Sequence, residues 1–269
     1  ADQFSGVAQD EIEDARPWCE IIRQWSTFHP EFAFLPRKFK IAVSGSQQDR
    51  AAIAFHDIGL QMRVNDRGER GFTVLVGGGL GRTPVIGKVI EEFLPEAHLL
   101  TYLEAIMRVY NQHGRRDNKF KARIKILVKA TGIDTFREQV EAEWQDIKDG
   151  ESTLDADLIE RFRSFFPAPA YTDIDALAAR NAVQEKLGSG ADFQRWYEHN
   201  TLAHKVDGYR IVTLSLKATG YAPGDITAEQ MEAVADLSER FGFGEVRSTH
   251  QQNLVFPDVQ QEQLFALWQ

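Results

Sequence analysis

Two lysines lie two residues apart in the stretch LPRKFKIAV, residues 35–43, where their ammonium groups could hold a small anion. The alternating pattern predicts a strand, so Lys38 and Lys40 project from one face while Arg37 and Phe39 take the other. Two adjacent ammonium groups repel each other, and a multiply charged anion between them would remove that cost. Lysines that protect an exposed sheet edge from aggregation would give the same pattern. The pair therefore indicates either an anion site or an edge strand.

A glycine triplet, Gly77, Gly78 and Gly79, follows an apolar run in the stretch GFTVLVGGGLGRT. Glycines allow a backbone to approach a ligand or another segment closely. A dinucleotide-binding loop needs a third glycine or alanine where this sequence has Arg82, and a helix start that Pro84 interrupts. The next predicted element is a helix, not a strand that bears an acidic residue. The triplet therefore disfavours a nucleotide site and leaves a tight turn, with or without another ligand beside it.

A basic stretch, residues 115–129, has seven lysines and arginines and one aspartate in a chain whose formal net charge is −9. Such a local reversal favours a specific anionic ligand, although a solvated helix face has the same composition. A nucleic-acid interface is disfavoured because the chain is acidic overall and no series of aromatic residues for stacking accompanies the basic ones.

The composition is that of a globular chain of 269 residues, with 43% apolar and 26% charged residues. No apolar run approaches the roughly 20 residues of a membrane-spanning helix. Cys19 is the only cysteine, so the chain cannot form an internal disulfide or supply the four thiolates of an iron–sulfur cluster. We interpret it as a small buried hydrophobe in a protein of a reducing compartment, the cytoplasm. The seven histidines show no metal-ligand spacing.

The patterns predict an α+β protein whose first domain, residues 1–165, carries these three motifs. After an irregular acidic arm, strands are expected at 35–43, at 51–64 as two short strands or one bulged strand, and at 71–77. Helices are expected from Pro17 onwards, over Pro95–His113, through the basic stretch as far as Gly132, and over Asp134–Trp144.

A linker, residues 166–200, and a second domain, residues 201–269, complete the predicted organisation. The second domain reads as strand, helix, strand and helix, at Tyr209–Lys217, Thr227–Phe241, Glu245–Phe256 and Gln260–Gln269. Thr227 and Gln230 form a capping box, and the order is that of about half a ferredoxin-like sandwich. Because two strands do not close a core and the last helix ends in an apolar face, we expect the chain to be a truncated piece of a longer protein.

Four motifs occur here in the order that they have in the sirohaem-dependent nitrite and sulfite reductases: LPRKFK, VLVGGGLGRT, GRRDNKFKAR and a run with Arg247, Thr249, Gln252 and Asn253. The chain resembles the central part of an assimilatory sulfite reductase haemoprotein of the bacterial type. The resemblance covers residues 14–145 and 201–269 well, and the linker loosely.

The resemblance implies a site for sirohaem, which carries eight carboxylates on a flat apolar macrocycle. Such a site needs cations for charge-assisted hydrogen bonds and a closely fitting backbone. In the family, Lys38 and Lys40 would face the side of the iron where sulfite or nitrite binds, hold its anionic oxygens and relay protons. The cofactor-binding residues would be Arg37, Gly77, Gly78, Gly79, Arg82, Arg115, Arg116, Asn118, Lys119, Lys121, Arg123, Arg247, Thr249, Gln252 and Asn253.

The resemblance also implies parts that this sequence lacks. In the family an arginine-bearing segment precedes this region, and four downstream cysteines hold a [4Fe–4S] cluster, one thiolate of which also binds the sirohaem iron. We therefore expect this chain, with Cys19 alone, to be inactive without the remainder of the reductase polypeptide. Sulfite and nitrite stay open as substrates, as do ferredoxin and a flavoprotein as electron donors. The alternative is a module that binds a tetrapyrrole without redox chemistry.

Overall fold

The structure, a computed structural model, describes residues 1–188 and 190–269 and confirms an α+β fold. It divides into two compact units. Unit 1 consists of residues 1–2 and 12–167, and unit 2 of residues 3–11 and 168–269. Among the described helices, none combines the length and the apolar character needed to cross a membrane.

Unit 1 contains a four-stranded mixed sheet. Its strands, in chain order and in sheet order, are β1 (Ile41–Ser44), β2 (Ile58–Val64), β3 (Arg70–Val76) and β4 (Lys88–Pro95). β1 and β2 run parallel, and the other neighbours are antiparallel. The predicted turn between β2 and β3 is present, because Asn65 Oδ1 accepts hydrogen bonds from the N–H groups of Arg67 and Glu69.

The helices of unit 1 cover this sheet and share one apolar core with it. They are α1 (Arg16–Thr27), α2 (Pro30–Ala33), α3 (Leu99–His113), α4 (Ile124–Thr131), α5 (Ile133–Ile147) and α6 (Ala156–Arg163). α1 has a proline in its first turn and buries Trp18, Ile21 and Ile22 at helical spacing, as predicted. α3 is buried over most of its length and packs against α5, so it is the central helix of the unit.

The predicted strand at 35–43 is wrong in extent. β1 begins only at Ile41, so Lys38 and Lys40 lie in an irregular segment before it. The Lys40 N–H donates to the carboxylate of Asp57 at 3.0 Å instead of to a neighbouring strand. A side chain therefore takes the N–H of Lys40, whereas its carbonyl oxygen accepts the N–H of Ile58 at the start of β2.

The predicted strand pair at 51–64 is also wrong. Its first half is a 3₁₀ turn, Ile53–Phe55, and only β2 is a strand. Ala52 has a left-handed φ of 53°, and the Asp49 carboxylate accepts a hydrogen bond from the Ile53 N–H at 3.0 Å. These local bonds compete with strand pairing.

Two further differences concern the basic stretch and the glycine loop. The helix within the basic stretch begins at Ile124, after an irregular segment in which Asn118 accepts a hydrogen bond from the Phe120 N–H. β4, which the sequence analysis does not predict, follows the glycine loop. Its pairing with β3 is interrupted by register shifts, so its apolar residues do not alternate regularly.

Unit 2 contains a four-stranded antiparallel sheet. Its strands are β5 (Thr201–Ala203), β6 (Tyr209–Ser215), β7 (Arg247–Ser248) and β8 (Asn253–Gln260), in the sheet order β5-β6-β8-β7. Its helices are α7 (Ala176–Leu187), α8 (Ala191–Asn200), α9 (Ala228–Phe241) and α10 (Leu264–Trp268). α7 and α8 fall within the predicted linker, residues 166–200, and bury Val183 and Phe193 in the core of unit 2. Residue 189 of that linker lies outside the described residues.

The sequence analysis predicts one strand at Glu245–Phe256, where the structure has a hairpin. Between β7 and β8 the chain turns through Gln252, whose φ is 61°, and the Thr249 hydroxyl accepts a hydrogen bond from the Asn253 N–H at 3.0 Å. With β5 as well, unit 2 has four strands where the pattern predicts two. The expectation that its strands are too few to form a core is therefore wrong.

The first 15 residues form neither helix nor strand, so this segment is irregular, as predicted. It is not an arm, however, because Phe4, Val7 and Ala8 are buried together with Ile211 and Val255 of unit 2. The charged residues around these apolar side chains hide them in the sequence pattern.

The capping box of α9 gives a test of unit 2. Gln230 N–H donates to Thr227 Oγ1 at 3.2 Å, and Thr227 N–H donates to Gln230 Oε1 at 3.0 Å. We expect Thr227→Ala to lower the free energy of unfolding by about 1 kcal/mol, because the Gln230 N–H loses the hydroxyl that accepts its hydrogen bond. Thr227→Ser keeps the hydroxyl and is the matched control in chemical denaturation. Equal stability of the two variants would contradict the prediction.

Candidate anion and cofactor site

Asp57, at the start of β2, joins three of the sequence motifs in unit 1. Its side chain is fully buried, and its Oδ1 accepts hydrogen bonds from Arg123 Nε at 2.9 Å and Nη2 at 2.7 Å. Its Oδ2 accepts the Lys40 N–H at 3.0 Å. Its main-chain oxygen accepts the N–H of Gly77, also at 3.0 Å. The lysine segment, the glycine loop and the basic stretch therefore meet at this one residue.

The two lysines both lie on the outside of unit 1. Lys38 and Lys40 are exposed, whereas Phe39 between them is half-buried with its ring 5.5 Å from that of Tyr110. The shared face was predicted from strand alternation, and these residues precede the strand, so only the burial of Phe39 between two exposed lysines follows the expected pattern. Arg37, predicted on the face of Phe39, is exposed as well.

Arg37 connects the lysine segment with the basic stretch. Its Nη1 donates to the main-chain oxygen of Lys119 at 3.2 Å, and its guanidinium lies 5.8 Å from the centre of the Phe120 ring. The ammonium group of Lys119 lies 5.5 Å from the same ring. Phe120 is 71% exposed, so it presents an apolar surface between two cations.

The glycine triplet approaches the protein's own chain. A Cβ at Gly77 would lie 3.3 Å from Val128, and a Cβ at Gly78 would overlap the carbonyl oxygens of Ala54 and His56. The N–H groups of Gly77 and Gly79 donate to main-chain oxygens within unit 1. The Gly78 N–H donates to none of the residues that the structure describes. The loop connects two antiparallel strands, which excludes the strand–turn–helix geometry of a dinucleotide site.

Lys125 supports the tip of the glycine loop from below. Its ammonium group donates to the main-chain oxygens of Thr83 at 2.7 Å and Leu80 at 3.2 Å. The side chain is buried, and burial and the neighbouring Arg123 lower its pKa. Arg82 at the tip is exposed. The glycine loop thus has the buried ammonium group of Lys125 on its inner side and the exposed side chain of Arg82 at its tip.

The rest of the basic stretch is only partly available to a ligand. Arg115 pairs with Asp117. Arg116 donates to Asn111 Oδ1 at 2.8 Å, and its guanidinium lies over the ring of Tyr110. Burial raises the pKa of this tyrosine, whose hydroxyl donates to the main-chain oxygen of Ala122 at 3.1 Å.

Unit 1 therefore brings together the lysine segment, the glycine loop and most of the basic stretch. Among the described residues, no carboxylate forms an ion pair with the side chains of Arg37, Lys38, Lys40, Arg82, Arg116, Lys119 or Lys121. This unpaired positive charge, with the exposed ring of Phe120 beside Arg37 and Lys119, is suited to an anionic ligand with an apolar body.

The predicted site residues of unit 2 lie in and beside the β7–β8 turn. Arg247 donates to the carboxylate of Glu245 and to the main-chain oxygens of Gln3 and Ser5, so its guanidinium holds the N-terminal segment of unit 2. Thr249 and Gln252 shape the turn itself. Asn253 accepts hydrogen bonds from the Leu216 N–H and from Lys217. All four residues thus form hydrogen bonds or a turn within unit 2.

Cys19 is half-buried, so it is less enclosed than the predicted small buried hydrophobe. It packs against the core of unit 1, and burial raises the pKa of its thiol. In the described part of the chain, no group of three or more histidine, cysteine or acidic side chains is arranged to hold a metal ion.

The sequence analysis did not single out Asp57, Lys125 or Phe120. Asp57 was detectable as a charged residue inside an otherwise apolar run, since such a residue needs a buried partner. Lys125 lies two residues after Arg123 in a stretch with many basic residues, so nothing in the sequence distinguishes it as a buried lysine.

Two family models match this chain. Residues 1–148 match the model of the nitrite and sulphite reductase 4Fe-4S domain, and residues 203–269 match the nitrite/sulfite reductase ferredoxin-like half domain. The first match covers more than half of the chain. The chain belongs to the nitrite and sulfite reductase family.

Similar proteins include both kinds of reductase. The chain is 30% identical to sulfite reductase [ferredoxin] 1 of Mycolicibacterium paratuberculosis, over 98% of this chain and 40% of that protein. It is 28% identical to the assimilatory ferredoxin-dependent nitrite reductase of Haloferax mediterranei, over 95% of this chain and 39% of that protein. The structure of the Mycobacterium tuberculosis NirA protein matches with a TM-score of 0.66 and 27% identity, over 98% of this chain and 41% of that one. The chain thus spans about 40% of the length of the relatives that it matches.

The glycine loop gives a test that needs no ligand. We expect Gly78→Ala to lower the free energy of unfolding by about 1–3 kcal/mol, because the new methyl group overlaps two main-chain oxygens. Gly188→Ala is the control, since a Cβ there has its nearest atoms at 3.6 and 3.8 Å. Thermal unfolding in which both variants match the wild type would show that the loop has room for a side chain.

Proposed function

We propose that this chain supplies the sirohaem- and oxyanion-binding part of a sulfite reductase that reduces sulfite to sulfide. The observation that carries the proposal is the meeting of the lysine segment, the basic stretch and the glycine loop at Asp57. Membership of the family supports the class of reaction. The substrate follows from the sequence resemblance to the bacterial sulfite enzymes.

The residues of unit 1 fit a tetrapyrrole that carries many carboxylates. Arg37, Arg82, Lys119 and Lys121 offer cations without carboxylate partners among the described residues, and Phe120 offers an apolar surface between two of them. The Gly78 N–H is the one donor of the triplet left for a ligand, again within the described residues. We propose that these groups hold the carboxylates and the edge of the macrocycle.

Lys38 and Lys40 are the proposed oxyanion-binding and catalytic residues. When bound, sirohaem would supply the iron at which the oxyanion is reduced. The Nζ atoms of the two lysines each carry three donors and would hold the anionic oxygens. They would also deliver protons as those oxygens leave as water. Because both side chains are exposed and unpaired in the described part of the chain, no ion pair has to break before substrate binds.

The residues present do not fit a [4Fe–4S] cluster. Such a cluster takes four thiolates, and the sequence has Cys19 alone, packed against the core of unit 1. We therefore propose that the cluster ligands belong to the remainder of the reductase polypeptide and that the 269-residue chain does not reduce sulfite by itself.

Nitrite is the second candidate substrate. A relative named as an assimilatory ferredoxin-dependent nitrite reductase is nearly as similar to this chain as the sulfite enzyme is. Both relatives are named for ferredoxin, so we propose ferredoxin as the electron donor.

Titration of the 269-residue chain with sirohaem tests the binding site. We expect a saturable shift of the visible bands and, with sulfite added, a second shift that gives the sulfite affinity. Lys38→Glu or Lys40→Glu should weaken sulfite binding about tenfold or more, since reversing a charge near an anion costs roughly 1–4 kcal/mol. The melting temperature should stay unchanged because both side chains are exposed.

Lys148→Glu is the control for charge reversal away from the site, because Lys148 directly follows α5 and its side chain, among the described residues, donates to Gln145 alone. If either lysine variant unfolds, the pair is structural. If the wild type gives no shift with sirohaem, the proposed site is wrong.

Reconstitution tests the redox proposal. Adding the cysteine-bearing remainder of the reductase to the chain should restore sulfite reduction by a chemical electron donor, with less activity towards nitrite. Higher activity with nitrite would make nitrite the substrate. Inactivity with both, in an assembly that holds its cofactors, would favour a binding module without redox chemistry.

A further inference from the structure

The main chain of Lys40 forms two hydrogen bonds within the fold, whereas the main chain of Lys38 forms none with the described residues. The Lys40 N–H donates to Asp57 Oδ2 at 3.0 Å, and its carbonyl oxygen accepts the Ile58 N–H at 3.1 Å. The main-chain groups of Lys38 bond to none of the described residues. Of the two proposed substrate-binding lysines, Lys40 is therefore the one whose position the fold fixes.

A carboxylate suits this position better than an amide. Three donors converge on the Asp57 side chain, two from the Arg123 guanidinium on one oxygen and the Lys40 N–H on the other. An amide of the same shape would turn its NH₂ group towards one of these donors, and the two would repel. Because the carboxylate is fully buried, its charge also needs the Arg123 partner.

The same residue fixes the glycine loop, since its main-chain oxygen accepts the Gly77 N–H at 3.0 Å. We propose that Asp57 is a positioning residue that sets the place of Lys40 relative to the glycine loop, with Arg123 neutralising its charge. The role in sulfite binding rests on the proposed function, whereas the role in holding Lys40 does not.

Asp57→Asn separates the two roles by two readouts. We expect the carbonyl oxygen of the new amide to face Arg123 and its NH₂ to face Lys40. Amide hydrogen exchange at Lys40 should then rise at least about tenfold. In the sirohaem-loaded chain, sulfite affinity should fall about tenfold, and adding Lys40→Ala should lower it little further, because both changes act on one group.

Glu141→Gln is the control for replacing a half-buried, hydrogen-bonded carboxylate of unit 1 by an amide. Glu141 accepts a hydrogen bond from the buried Tyr102 at 2.6 Å and contacts neither lysine. We expect it to lower the melting temperature while leaving Lys40 exchange and sulfite affinity unchanged. Arg123→Lys keeps a cation beside Asp57 and serves as a second variant if Asp57→Asn does not fold. It should leave the Lys40 amide protected.

Three outcomes would overturn the inference. They are an unchanged Lys40 exchange rate in folded Asp57→Asn, additive effects of Asp57→Asn and Lys40→Ala on sulfite affinity, and loss of Lys40 protection in Arg123→Lys. If the wild type binds no sirohaem, the proposed function fails, and the exchange readout still decides whether Asp57 positions Lys40.

Discussion

The arrangement of unit 1 depends on burying one carboxylate with one guanidinium. A lone charge inside a protein is too costly to keep, and losing one partner of a buried pair typically costs about 3–5 kcal/mol. Asp57 therefore needs Arg123 as its partner. To form this pair, the irregular part of the basic stretch that carries Arg123 has to lie next to the beginning of β2. The same carboxylate has an oxygen left over, which the Lys40 N–H takes. One electrostatic requirement thus places segments that are far apart in the sequence.

Two carboxylates among these cations are already paired: Asp57 with Arg123, and Asp117 with Arg115. Lys38 and Lys40 are exposed, and neither forms an ion pair with the described residues. Repulsion between like charges on this surface is moderated by water. A multiply charged anion that binds there removes the repulsion and gains attraction. The chain is acidic overall, with a net charge of −9, so this surface is a local property of the fold and not of the composition.

How much could be predicted from the sequence depended on whether the signal was local. α1, α3 and α5 carry apolar residues at helical spacing, and the capping box of α9 lies within four residues, so all were predictable. β4 was missed because irregular pairing breaks its alternation. The strand expected across Lys38 and Lys40 begins only after them, because the Lys40 N–H donates to the side chain of Asp57, 17 residues away in the sequence. Partners that are distant in the sequence leave no trace in a local pattern.

The glycine triplet shows how the same residues can serve fold and ligand at different points. Its glycines are needed because neighbouring atoms of unit 1 occupy the space of their missing side chains, so the triplet alone was never proof of a ligand. That close packing lets Lys125 reach the loop and hold its tip through the oxygens of Leu80 and Thr83. Arg82 is then carried on a loop that is hydrogen-bonded to Lys125 on both sides of it. The backbone donors of the triplet are mostly used within the fold. Any contribution of this loop to ligand binding therefore comes mainly from the side chain of Arg82.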